Sequence, residues 1–336
     1  MTELQSAKPS KSGTARVAIL GAASREGVAI RDVLTERRIP GSRVDLFGDD
    51  GEEAQIGEYA GEARLIQPPI FEEIREFDVV FVCEAGPVVD KLVADPTRNG
   101  VVIDVTGTIP PSSQALLVDL DLGSEEAPTG SVLIAPHPLT LILAKLLAPI
   151  QRLVDLDDVV ATVLRPVADF GEKGIDELRE QTVLLLNFSE VPTEVLGQQL
   201  AFNVVPAGRL SCETADETDV IRGQVQHLVR WDRPRLSLSL IAVPVFYGHA
   251  LQISLKPSSA IDVDVLRAAM AAADISLPEG DAAAQTPLDI IGEERLQVAR
   301  IDVEDTGRIS LWAIAGEAQK RAASHAVRLA GAVKPL

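Results

Sequence analysis

Three short stretches of this chain carry residues whose types and spacing could do chemistry. Gly21-Ala-Ala-Ser-Arg-Glu-Gly27 follows the apolar run Arg16–Leu20 and opens a helical pattern. In that context a glycine-rich turn can offer backbone N–H groups and a helix N-terminus to a phosphate. Ser24 stands where a middle glycine would let backbone approach a pyrophosphate closely, and Glu26 adds a charge that Arg25 can offset. The same glycines also serve a plainer purpose, a tight turn from strand to helix. Pro136-His137-Pro138-Leu-Thr140 joins a buried strand, Val132–Ala135, to an apolar helix, Leu139–Ile150. A side chain at such a helix start suits nucleophilic work, because the helix dipole favours a thiolate. Pro138 has no nucleophile and no backbone N–H, whereas proline at a first helical position is structurally favourable. Thr140 would need an adjacent base. His249 closes Val243-Pro-Val-Phe-Tyr-Gly-His, suited either to proton transfer or to holding its strand through a hydrogen bond. Cys83, ending a strand, and Cys212, before an acidic helix, read as ordinary small hydrophobes.

The elements that must position these residues follow from length and pattern. A chain of 336 residues has room for two domains with real cores. With 50 acidic against 31 basic residues, nucleic acid and anionic membrane are poor partners. Two cysteines without a spacing pattern fit a reducing cytoplasm. Residues 1–15 form a polar stretch with no apolar core for export and read as a disordered tail. The apolar helix Leu139–Ile150 carries Lys145 and is too short to span a bilayer. No His-x-x-x-His or carboxylate spacing supports a metal site. Strand-like runs at Arg16–Leu20, Val44–Phe47, Val79–Cys83 and Val101–Val105 alternate with helical intervals at Val28–Arg37 and Val88–Ala94. Such alternation implies βαβ units and a doubly wound, mostly parallel sheet. Further on, runs at Val159–Val167, Leu236–Val245, His249–Leu255, Leu296–Val303 and Ile309–Ile314 read as a largely antiparallel sheet. Helices intervene at Gly174–Leu186, Glu213–Val229 and Val263–Ala272, and an Ala-rich amphipathic helix, Glu317–Val333, closes the chain.

Several segments, taken in order, carry a family likeness. They are the turn Val17–Gly27, Gly174-Ile-Asp-Glu-Leu-Arg-Glu-Gln181, Leu200-Ala-Phe-Asn-Val-Val-Pro206, Val243–His249 and Thr286-Pro-Leu-Asp289, then Leu311-Trp312 with Lys320 and Ala322-Ala323. Together they resemble the aspartate-semialdehyde dehydrogenase family from Val17 to Val333. The resemblance implies an α/β protein with a Rossmann-like dinucleotide-binding domain at 16–138. A substrate and dimerisation domain with a mainly antiparallel sheet would occupy 139–316, and 317–336 would return to the first domain. It also implies a homodimer and the NAD(P)-dependent interconversion of aspartyl phosphate and aspartate semialdehyde in amino-acid biosynthesis.

The resemblance also assigns positions. In the family the helix-entry turn reads Pro-Asn-Cys-Ser/Thr, so the nucleophilic cysteine aligns with Pro138 and its asparagine with His137. His249 takes the place of the general acid/base. The arginine that grips the substrate carboxylate aligns with Ala242, and the phosphate-meeting arginine aligns near Pro110. The acidic residue for the substrate ammonium aligns near Gln224 with its companion lysine near His227, and the thioester-orienting glutamine aligns with Arg165. Neither alanine nor proline can replace arginine in bidentate recognition of carboxylate or phosphate. Gly21, Ala22, Ser24, Gly27, Ala85 and Gly86 match the cofactor-binding positions. If a dinucleotide binds, the acidic pair Asp49 and Asp50 favours NAD over NADP. The resulting expectation is a homodimeric family member unable to run the family reaction. It would bind a ligand or partner through a cleft lined by His137, Arg165, His227 and His249. The alternative is an NAD-dependent oxidoreductase acting on another substrate through His249.

Overall fold

The computed structural model describes residues 15–48, 55–107, 109, 115–118, 132–211, 217–233, 235–278 and 285–336. Asp49, Asp50, Pro110, Cys212 and residues 1–14 lie outside the described residues. Ala15, assigned to the tail from sequence, is instead buried, only 2% exposed. Contacts divide the chain into two compact units. One takes the described residues up to Leu116, then 132–133 and Ala326–Leu336; the other takes 117–118 and Ile134–His325.

The first unit is built on short, fully buried runs. β1 (Val17–Leu20), β5 (Val79–Val82) and β6 (Val101–Asp104) bury every residue, the signature of strands covered on both faces. With β2 (Val44–Phe47), β7 (Ala115–Leu117) and β8 (Val132–Ile134) they form a six-stranded sheet in the order β2-β1-β5-β6-β8-β7. The pairs β1–β2, β1–β5 and β5–β6 are parallel. The chain crosses from β1 to β2 on one side and reaches β5 on the other, so the strand order switches direction at β1. Ligands of doubly wound sheets bind at such a switch, beyond the carboxyl ends of the strands. The turn after β1 and the loop after β5 are the two candidate cofactor segments. Helices α1 (Arg25–Glu36), α2 (Phe71–Ile74) and α3 (Pro87–Ala94) intervene. A hairpin not expected from sequence, β3 (Gln55–Tyr59) and β4 (Glu62–Ile66), is anchored by Arg31, whose Nη1 donates to the Glu58 carbonyl at 2.6 Å.

The second unit carries the expected largely antiparallel sheet. Its strands are β9 (Leu156–Arg165), β10 (Val205–Pro206), β11 (Leu236–Ala242), β12 (His249–Pro257), β13 (Leu296–Val303) and β14 (Ile309–Ala315). They run β10-β11-β9-β12-β14-β13, and only β11–β9 is parallel. Helix α4 (Pro138–Leu153) buries Leu139, Ile142, Leu143, Leu146 and Ile150 in one core with Val159 and Val163 of β9 and Leu251 and Ile253 of β12. Spacing of 3 and 4 residues keeps those helix positions on one side. The helix begins one residue earlier than its apolar run and continues past Pro149 to Leu153. Helices α5 (Gly171–Leu186), α6 (Glu217–Val229) and α7 (Val263–Ala272) follow, and α8 (Ala318–Val333) closes the chain. Among the described residues, no helix is long and apolar enough to cross a membrane.

Candidate functional site

The turn after β1 is shaped by sterics that only glycine meets. Gly21 has φ +77°, and a Cβ there would lie 2.5 Å from that of Glu84. A Cβ on Gly27 would stand 2.2 Å from the Gly21 carbonyl oxygen, so the first turn of α1 can rest on β1 only through a bare Cα. Ser24, at the middle position, is the N-cap of α1. Its hydroxyl accepts from the Gly27 N–H at 3.1 Å and turns inward to the Gly21 and Cys83 carbonyls at 2.7 and 3.1 Å. The side chain thus folds into the turn. Glu26 is held by Arg25, Nη2 to Oε1 at 2.7 Å. Ala22 is buried, its N–H bonded to Phe47 O at 2.9 Å. On the other side of the switch, Ala85 is exposed and Gly86 caps α3, ahead of Pro87 at its first position. Gly21, Ala22, Ser24 and Gly27 surround the start of α1, and Ala85 and Gly86 precede α3. Cys83 is fully buried, and burial with the nearby Glu26 and Asp104 charges pushes its thiol well above the usual range. It is an inert thiol.

The second unit assembles a different kind of centre. Pro138 is the first residue of α4, with His137 as N-cap. The His137 backbone N–H donates to Gln224 Oε1 at 2.8 Å, as does the Thr140 hydroxyl at 2.9 Å. Gln224, on α6, therefore binds the start of α4 rather than facing outward. The His137 ring accepts at Nδ1 from Leu139 N–H, 3.2 Å, which places its proton on Nε2, 3.2 Å from Glu217 Oε1. Glu217 is the first residue of α6, and its other oxygen takes Arg165 Nη1 at 2.8 Å.

Arg165 ends β9 because Pro166 follows and stops the strand, after which a single 3-10 turn carries Asp169 back beneath it. That turn is fixed by Val167 and Ala168 N–H bonds to the Val245 and Phe246 carbonyls, 2.8 and 3.1 Å. Arg165 Nε donates to Asp169 Oδ2 at 2.9 Å, and His249 Nε2 meets the same oxygen at 2.9 Å. The guanidinium also lies 5.0 Å over the Phe170 ring. The result is an alternating chain, His137–Glu217–Arg165–Asp169–His249, in which Arg165 is 4% exposed and His249 3%. Burial disfavours the charged Glu217, but the His137 hydrogen bond and the Arg165 charge outweigh it and hold the carboxyl down at about 2. Burial likewise works against Arg165, yet the charges of Asp169 and Glu217 raise it above its ordinary range. His249 Nδ1 is buried with no hydrogen-bond partner among the described residues.

Of the expected pocket residues, the structure brings His137, Arg165, Gln224 and His249 together and leaves His227 out. His227, three residues beyond the buried Gln224 on α6, is exposed. Ala242 pairs in register with Arg165 across β11 and β9, so an arginine stands one strand away from the expected carboxylate-gripping position. Ala242 itself is 1% exposed in an apolar cluster with Val167, Ile175 and Leu178. Asp169 and Glu217 were not anticipated. Their one sequence signal was an acidic residue four positions after Arg165 and another opening a helix, neither distinctive alone. A separate, open cavity of about 640 Å³ lies against Pro244, Phe246, Tyr247, Pro287 and Leu288; it is apolar and holds none of the network's charges. Among the described residues, no group of three or more His, Cys, Asp or Glu side chains is arranged to hold a metal.

A six-stranded sheet of the Rossmann-like, NAD(P)-binding fold and a mixed six-stranded sheet, with Arg165 and His249 at its strand ends, define a two-unit α/β protein of the dehydrogenase class. Residues 147–316 match the family model described as semialdehyde dehydrogenase, dimerisation domain. The chain belongs to the semialdehyde dehydrogenase family. It is 26% identical over 329 residues to the aspartate-semialdehyde dehydrogenase of Rickettsia conorii, covering 94% of this chain and 96% of that one. It is 29% identical over 328 residues, with the same coverage, to the USG-1 protein homolog of Azotobacter vinelandii. Among solved structures, aspartate semialdehyde dehydrogenase II from Vibrio cholerae, complexed with ASA, superposes with TM-score 0.80 at 25% identity, covering 96% of this chain and 98% of that one.

Proposed function

We propose that this chain is a homodimeric member of its family that does not turn over aspartyl phosphate or aspartate semialdehyde and serves instead to bind a ligand or partner. The observation that carries this is the closed network behind Pro138. Acyl-phosphate reduction needs a thiolate to carry the acyl group, and the helix start offers only a proline ring. It also needs donors free to meet an anionic substrate. Here Arg165 is held by Glu217 and Asp169, His137 by Glu217, and the α4 entry by Gln224. Ala242, buried among aliphatic side chains, offers no second cation. Incubating the purified protein with aspartate semialdehyde, phosphate and NAD or NADP is expected to yield no reduced cofactor; robust turnover would overturn the proposal.

A second reading has its own support. The Asp169–His249 pair leaves Nδ1 with a lone pair and no partner, as a base needs, and the Gly21–Gly27 turn is sterically intact. On this reading the chain is an NAD-dependent cytoplasmic oxidoreductase with another substrate. A bound nicotinamide would supply the hydride, and NAD is preferred to NADP because of Asp49 and Asp50. Melting with and without NAD, NADH, NADP and NADPH separates the readings, since a ligand of the native state raises Tm. No shift with any of the four removes this one.

A further inference from the structure

We propose that Arg165 and His137 form an oxyanion receptor for a small carboxylate, and that the chain fills it from within, with the Glu217 side chain as resident ligand. This deepens the reading above, on which it rests, by naming what closes the pocket. Glu217 is bound as a free carboxylate would be: one oxygen takes the His137 Nε2–H at 3.2 Å, the other the Arg165 Nη1–H at 2.8 Å. Arg165, 4% exposed, presents that edge of its guanidinium while Asp169 holds its Nε and Phe170 lies against its face, so the receptor's cation is fixed independently of Glu217. His137 is fixed independently too, since its backbone N–H is bonded to Gln224 and its Nδ1 to the Leu139 N–H. Both donors therefore keep their aim if the Glu217 carboxylate is removed. Such preorganisation gives an anion site affinity for a ligand that matches the vacated group. The register of Arg165 beside Ala242 puts this receptor one strand from the position where the family likeness expects a carboxylate-gripping arginine. An incoming carboxylate must therefore compete with Glu217, which is covalently tethered and present at high effective concentration. The site is self-inhibited.

The test uses the full chain with Glu217→Ala, titrated with sodium formate against sodium chloride at matched ionic strength, read by thermal melting and calorimetry. The variant is expected to melt on the order of 10 °C below wild type, because truncation leaves the buried Arg165 short of a partner. Formate should raise its Tm saturably, with no response in wild type or in Glu217→Ala/Arg165→Ala. A folded Glu217→Ala protein that binds formate no better than wild type overturns the proposal. If the variant stays unfolded in chloride, its refolding yield becomes the readout: recovery in formate alone supports the receptor, and equal yield in both salts overturns it. This failure is distinct from that of the functional reading, which falls only to turnover by wild type.

Discussion

The turn at Gly21–Gly27 and the cluster around Arg165 make opposite use of a family scaffold. In the turn, the demands are steric and are met: Gly27 must lack a Cβ because a carbonyl oxygen stands 2.2 Å from where it would go. Even Ser24, in place of a glycine, folds inward and caps α1 without protruding. In the cluster, what the structure shows is electrostatic pairing. A proline opens α4, Ala242 lies in apolar packing, and Arg165 is paired with Asp169 and Glu217. The turn is thus fixed by backbone shape, whereas the cluster is fixed by which side chains carry charge. The network takes this form because a charge enclosed by protein must be paired.

The largest expected effect sharpens the second half of this contrast. Arg165→Ala should destabilise the protein by about 3–5 kcal/mol in urea titrations, because Asp169 and Glu217 would face each other buried without their cation. Stability equal to wild type would mean that apolar packing, not charge, closes the pocket. Next is the response to acid. Glu217 is held at about 2 against an ordinary 4.5, so its folded form is favoured by deprotonation. The stabilisation is complete above about 4.5 and is lost as pH falls toward about 2, on the order of 3 kcal/mol in all. The stability difference between wild type and Glu217→Gln should therefore shrink across that window; a gap independent of pH would break the assignment. The smallest effects probe the turn. Gly27→Ala should cost about 1–3 kcal/mol through backbone overlap, and Ser24→Ala about 1 kcal/mol through the lost cap. The reverse order would show that the turn depends on hydrogen bonding more than on close approach.

Much of the fold was legible before the coordinates. β2, β13 and α7 fall on the expected residues, because alternating or 3.6-residue apolar patterns are local properties of the chain. The β3–β4 hairpin was missed: it exposes Ile56 and Leu65, at 75% and 54%, while its inward face carries Gly57 and Arg64 beside Tyr59 and Ile66, so apolar residues do not trace the buried side. At the site, the sequence pointed to His137, Arg165, Gln224 and His249 and to the absence of a thiol at Pro138. His227, expected beside them, is exposed on α6, since likeness to an aligned position does not fix how deeply a side chain is buried.

The sequence by itself determined the periodic elements, the glycines of the turn after β1 and the proline at the start of α4, each of which depends on residue type at one place. Only the tertiary structure decided who pairs with whom. Arg165 meets Glu217 across 52 residues and Asp169 meets His249 across 80. No local rule encodes such contacts, because they arise when strand ends and helix starts converge and every buried charge must find its opposite.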